Sequence, residues 1–321
     1  MKKSLTIICI ILSAIALCFL SALLAKNEKI SASEIKYNYE EYPLIRNNVK
    51  LHLDRTEVTG KQPKKNILLV HGVTYSSHEF DIDYEDYSLV RVLARNGYSV
   101  WRLDIAGYGR SETITDGFLP DSNYAAEDIN AAVNKIIQIT GQNKIDLLGW
   151  SWGTVTAFKY ASKHGEHINK LVLYAPILSG LGKSDIKEPF HRNSREHAAE
   201  DFQRDKNGKI DFSITDPAIA ELWCSSCMRY DGDTSPNGGR REICVDESEK
   251  LIDISQIKMP VLIIYGDKDP YLNYKLIDSL KTQLPEGSLV KCIKGGSHIV
   301  FMEKPYHKDF QRILISFLKQ N

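Results

Sequence analysis

The chain has 321 residues, 41 Lys+Arg against 41 Asp+Glu, a formal charge of zero, and is 43% hydrophobic and 26% charged. That make-up is ordinary for a globular protein and excludes a disordered, collagen-like or wholly membrane-embedded chain. No basic block is present, and nucleic acid as the main partner is excluded with it, since phosphate backbones demand clustered Lys/Arg.

The first feature from the N-terminus is residues 4–25, an uncharged run of 22 residues behind Lys2 and Lys3. As a helix it would span roughly 33 Å, enough for a bilayer core. Two readings stay open: a secretory signal that is removed, or an uncleaved N-terminal anchor. The run is longer than the about 7–15 apolar residues of a usual signal, and its cleavage sites are poor. Ala14-Ile15-Ala16 cuts the run in half, and Ser31-Ala32-Ser33 lies well beyond it. Cys18 follows Leu17, which is bulkier than the small residue that precedes a lipoprotein cysteine. Either way, Lys2 and Lys3 hold the N-terminus in the cytoplasm and send the rest across. The segment therefore implies contact with membrane or export machinery, and a protein that is secreted, periplasmic or anchored.

From about residue 35 short β-branched runs alternate with longer helical stretches. Strands are expected at 50–58, 67–71, 99–104, 144–149, 170–175, 261–266 and 289–293, several of them continuous apolar runs suited to parallel strands covered on both faces. Helices are expected at 87–96, 125–140, 154–164, 272–284 and 308–319. The alternation implies a mostly parallel, doubly wound α/β sheet.

The interval between the strands at 170–175 and 261–266 breaks the rhythm. Its length of about 85 residues exceeds a simple βα connection and implies an inserted subdomain. It contains Cys224, Cys227 and Cys244, which with Cys292 are the cysteines outside the apolar segment. In an oxidising compartment one or two disulfides are expected among them, free thiols being the alternative. Zinc lacks a fourth ligand at suitable spacing. Asp205–Asp211 resembles part of a calcium loop, but the alignment puts Gln203 and Ile214 at positions that need carboxylates.

The chemistry is carried by Gly149-Trp150-Ser151-Trp152-Gly153, between an apolar strand and a helix. In that context G-x-S-x-G holds a serine hydroxyl on a sharp turn at a helix N-terminus, where backbone N–H groups favour developing negative charge. A base is expected in His298, within Gly295-Gly296-Ser297-His298 after the last strand. An orienting carboxylate follows the strand at 261–266: Asp269, with Asp267 as runner-up. His71-Gly72-Val73-Thr74 ends another strand in a glycine turn, so the Val73 N–H and the Trp152 N–H are the expected oxyanion donors. His71 itself is expected to support that turn.

The order Ser151, Asp269, His298 is that of the α/β-hydrolases, and over residues 66–317 the chain resembles that superfamily of esterase- and lipase-like serine hydrolases. Asp104–Ser111 is similar to the family's turn after its fourth strand, and 296–305 to its histidine loop. The resemblance implies a hydrolase core over 35–176 and 256–321, after the segment 1–25, with a cap or lid at 177–255. Related haloalkane dehalogenases and epoxide hydrolases place Asp at the elbow; Ser151 excludes that route. It implies acyl transfer without cofactor or metal on a small-molecule carboxylic ester, small to medium or cyclic. Tyr75, Phe80 and Trp150 are expected beside the substrate. Thioester, C–C bond and peptide hydrolysis share the same residues, and a non-catalytic binding module would not need them.

Overall fold

A computed structural model describes residues 35–320. The apolar run at 4–25 lies outside these residues; among the described residues no helix is long and apolar enough to cross a membrane.

The chain opens with a hairpin of β1 (Tyr37–Arg46) and β2 (Val49–Val58), paired antiparallel from Tyr37 opposite Val58 to Arg46 opposite Val49. The tight turn falls on Asn47 and Asn48, both left-handed (φ 50° and 65°), the conformation that two-residue hairpins demand and asparagine tolerates. Next come β3 (Lys65–Val70), helix α1 (Leu89–Arg95), β4 (Tyr98–Asp104), α2 (Ser122–Thr140), β5 (Ile145–Trp150), α3 (Trp152–Lys163) and β6 (Ile168–Tyr174). After a long interval follow β9 (Val261–Gly266), α7 (Tyr274–Leu280), β10 (Leu289–Ile293) and α8 (His307–Lys319). The interval itself carries β7 (Phe190–Arg192), α4 (Arg195–Ala198), α5 (Pro217–Asp231), β8 (Thr234–Pro236) and α6 (Gly238–Ile243), with β7 and β8 paired as a separate ribbon.

Eight strands form one sheet in the order β1-β2-β4-β3-β5-β6-β9-β10. It is antiparallel through β2 and parallel from β4 onward. Successive residues of a strand face opposite sides, and the core divides accordingly. Leu68 and Val70 join Ile129, Val133, Val155 and Phe158 of α2 and α3 on one face; Ile67 and Leu69 join Leu93 of α1 and Phe310 and Leu314 of α8 on the other. Each fully buried aliphatic side chain of this kind stabilises by about 1.5–3 kcal/mol.

Two expectations are corrected. Strand β1 was not anticipated, because it is the sheet's edge and most of its side chains are exposed or half-buried, with Pro43 in its middle. Such a strand shows no apolar alternation. The expected disulfides are not found among the described residues, where Cys224, Cys227, Cys244 and Cys292 are all free, the alternative given above. Cys224 and Cys227 pack as apolar side chains into the core on one face of the sheet, Cys244 packs against the core on the other, and Cys292 is exposed on β10.

Candidate active site

Strand β5 runs into α3 through Ser151, whose backbone is left-handed (φ 56°, ψ −126°). For a residue with a Cβ this is strained, and the surroundings hold it. The Ser151 N–H donates to Tyr174 O (3.0 Å), and Thr154 donates back to Ser151 O through both its N–H and Oγ1. The flanking glycines are required by space. A Cβ on Gly149 would stand 2.1 Å from Gly153 O, and one on Gly153 would stand 2.5 Å from His71 O.

Beyond β3, His71 is fully buried and neutral in function: Nδ1–H donates to Gly72 O (2.8 Å), while Nε2 accepts the Ile105 N–H (3.1 Å). Burial pulls its pKa below the ordinary histidine value, which suits an imidazole that must accept a hydrogen bond. It ties the turn carrying Val73 to the turn after β4. Gly72 faces the nucleophile's position closely, with 3.3 Å from an added Cβ to Ser151 Cβ. Among the described residues, neither the Val73 N–H nor the Trp152 N–H is taken up by another group.

His298 follows β10. Two donors fix its carbonyl, Tyr174 Oη (2.8 Å) and Trp150 Nε1 (3.2 Å), and the neighbouring Ser297 N–H donates to the buried Glu303 (3.0 Å). Its Nδ1 stands 2.7 Å from Asp269 Oδ2, and Asp269 Oδ1 accepts the Tyr271 N–H. Both side chains are buried. Burial draws the His298 pKa down, but the Asp269 charge and hydrogen bond outweigh it and leave the ring above the ordinary value. Asp267, the alternative, is engaged elsewhere: its Oδ1 accepts the Gly295 N–H (2.6 Å).

Ser151 and His298 line one cavity of about 210 Å³, with Gly72, Val73, Tyr75 and Trp150. No hydrogen bond joins Ser151 Oγ to His298 among the described residues; in substrate-free hydrolases this link is commonly long and tightens on binding. Of the aromatics expected at the substrate, Tyr75 and Trp150 line the cavity. Phe80 does not: it is fully buried in the core, packed against Trp150 and Phe301. It follows the turn carrying Val73 closely in sequence, but lies at the end of the short helix Ser77–Phe80, with its ring in the core.

A cap at 177–255 was expected over this site, but the individual residues of the remaining wall were not. Residues 177–255 contribute Ile177, Leu181, His197, Glu200, Asp201, Arg240, Ile243 and Cys244, and Glu79 and Tyr271 join them from the core. Tyr271 sets its ring edge-on to His298 (4.9 Å between centroids). These positions have no motif; only the insertion's place between β6 and β9, over the strand ends, hinted at them. The insertion is fastened from below by Asp231, at the end of α5. One of its oxygens accepts from Ser76 N–H (3.1 Å) and lies 2.8 Å from His78 Nε2, and the other accepts from Gly109 N–H (3.1 Å). Within the insertion, Asp205 folds its own loop by accepting the N–H groups of Asn207 and Lys209.

Comparison with known proteins agrees with this architecture. Residues 65–305 match the family model described as alpha/beta hydrolase fold. The AB hydrolase superfamily protein YisY of Bacillus subtilis is 23% identical over 252 residues, 74% of this chain and 87% of that protein. A Haemophilus influenzae protein named "Probable lysophospholipase L2" is 23% identical over 86% of this chain and 91% of its own length. Among solved structures, the carboxylesterase CesB of Bacillus subtilis superposes with a TM-score of 0.60 at 16% identity, covering 94% of this chain and 98% of that one. At that identity the likeness concerns the fold.

Proposed function

The chain belongs to the α/β-hydrolase fold family, and on that premise we propose that it is a serine hydrolase cleaving a carboxylic ester or lactone through an acyl-enzyme on Ser151. The observation carrying this reading is the left-handed Ser151 on the same cavity as His298, whose Nδ1 is bonded to Asp269. Ser151 Oγ attacks the ester carbonyl carbon while His298 Nε2 takes the hydroxyl proton. The carbonyl oxygen becomes an oxyanion facing the N–H groups of Val73 and Trp152, each such donor being worth about 3 kcal/mol in the transition state. Collapse breaks the ester C–O bond, and the imidazolium protonates the departing alkoxide. Water then gives a proton to His298, adds to the acyl carbon and releases the acid, returning the proton to Ser151. Asp269 holds the imidazole in the tautomer with its proton on Nδ1.

Residues 177–255 act, in this reading, as a cap that shapes the acyl and alcohol pockets. The run at 4–25 sends the hydrolase across the cytoplasmic membrane, secreted or anchored; N-terminal sequencing of protein from membrane and soluble fractions would find residue 1 or a processed start. For the chemistry, a fluorophosphonate probe should label the wild type and leave Ser151→Ala unlabelled. Equal labelling of both, or none of either, removes Ser151 as nucleophile.

A further inference from the structure

Ester cleavage leaves the charges on the cavity wall unexplained. Glu79, Glu200 and Asp201 all line it, against a single guanidinium among its described lining residues, Arg240. That guanidinium is already held by neutral groups, Nη2 donating to Thr74 Oγ1 (2.6 Å) and Nη1 to Asn237 Oδ1 (3.3 Å). No salt bridge joins it to the three carboxylates among the described residues.

Glu79 is the informative member. It is only 2% exposed, and its Oε2 is buried without any hydrogen-bond partner. A carboxyl in that situation costs stability, so the fold gains nothing from it. Its electrical neighbours are all acidic. Burial first, then Asp201, Asp231 and Asp104, push its pKa well above the usual carboxylate range. Asp231 and Asp104 are occupied by His78, Ser77 and backbone N–H groups. Asp201 makes no side-chain hydrogen bond among the described residues, and burial lifts its pKa to about 6, Asp269 and Glu200 adding to this against the pull of His298 and Arg240. Among the described residues, then, neither of these two cavity carboxyls is hydrogen-bonded or salt-bridged to a basic side chain. The aromatic rings of Tyr75, Trp150 and Tyr271 line the same space, and such faces favour a cation.

We propose, resting on the ester-hydrolase reading above, that this end of the cavity receives a cationic amine carried by the substrate near its scissile carbonyl, with Glu79 and Asp201 as the recognising carboxylates. An ammonium placed there favours the ionised form of both carboxyls, which burial otherwise disfavours. An anionic substrate would meet the reverse arrangement.

Three nitrophenyl esters of matched length test this on the full-length protein: one ending in trimethylammonium, its neutral isostere ending in tert-butyl, and one ending in carboxylate. The cationic ester should exceed the neutral one in kcat/KM by about tenfold or more, mostly through KM, as for a desolvated opposite-charge pair. The anionic ester should be the poorest. Glu79→Gln should bring the cationic-to-neutral ratio toward one, and Asp201→Asn should narrow it independently. Equal kinetics for the cationic and neutral esters, or preference for the anion, overturns the proposal even if both variants misfold, since the wild type alone decides it. If the fluorophosphonate labels Ser151 and the esters are not discriminated, only the cation site falls. If Ser151 is unlabelled, the ester reading falls and takes this proposal with it.

Discussion

Gly72 lines one side of the cavity, tight against Ser151, and Gly149 and Gly153 flank Ser151 behind it, where an added methyl would run into backbone carbonyls. Across from them, residues 177–255 offer His197, Glu200, Asp201, Arg240 and Ile243, whose side chains carry the character of the wall. The strand-end wall is thus made by backbone, with a strained serine, a pinned imidazole and two free N–H groups. The inserted wall is made by charge and shape. Under the proposed function, the reaction type would reside in turns that the sheet dictates and the choice of substrate in short elements that pack over them.

The comparison breaks or holds most visibly at the proposed orienting acid. Asp269→Asn, on the strand-end wall, should lower kcat by about 10³–10⁴-fold, because the amide no longer selects the working tautomer of His298. Asp267→Asn loses only the hydrogen bond to Gly295 and should change turnover far less; the reverse result would move the assignment. A smaller effect is expected in the pH profile. In the proposed mechanism the base works only when unprotonated, and the pKa of His298 is raised, so kcat/KM for a neutral ester should fall with acidification at a pH above the ordinary histidine value of about 6.5. In Asp269→Asn the surviving activity should keep its acid limb at lower pH; an unmoved limb would mean another group titrates. The smallest effect belongs to the inserted wall. Leu181→Ala removes apolar contact at the cavity and should raise KM for longer acyl chains by up to about tenfold, with kcat changed less. A collapse of kcat instead would mean that the inserted wall also positions the reacting groups.

The same contrast decides what was legible in the sequence. The turn at Ser151, the turn carrying Val73 and the two loops ending in Asp269 and His298 could be read because each lies just beyond an apolar strand, and local glycine spacing marks the turn. The mostly parallel, doubly wound sheet followed from the alternation of elements, whereas the order of its strands was not read from the sequence. Nothing comparable marks the inserted wall. Asp201 ends a short helix turn and Arg240 lies in a helix of six residues, Gly238–Ile243, too short for a periodic pattern. Glu79 could not be told from a surface acid, because its burial depends on α5, far away in sequence, packing over the short helix Ser77–Phe80. Phe80 misled for the converse reason: nearness to the Val73 turn in sequence says nothing about which way a ring rotates.

Asp231 has a consequence for how specificity could be moved between proteins. The carboxylate belongs to the insertion, but its partners Ser76, His78 and Gly109 belong to the core, on two separate loops. A transplant of residues 177–255 alone into another hydrolase of this fold would arrive with that acid unpaired. The exchangeable unit is discontinuous in the chain, and the 76–78 turn and the loop at 109 must travel with the graft.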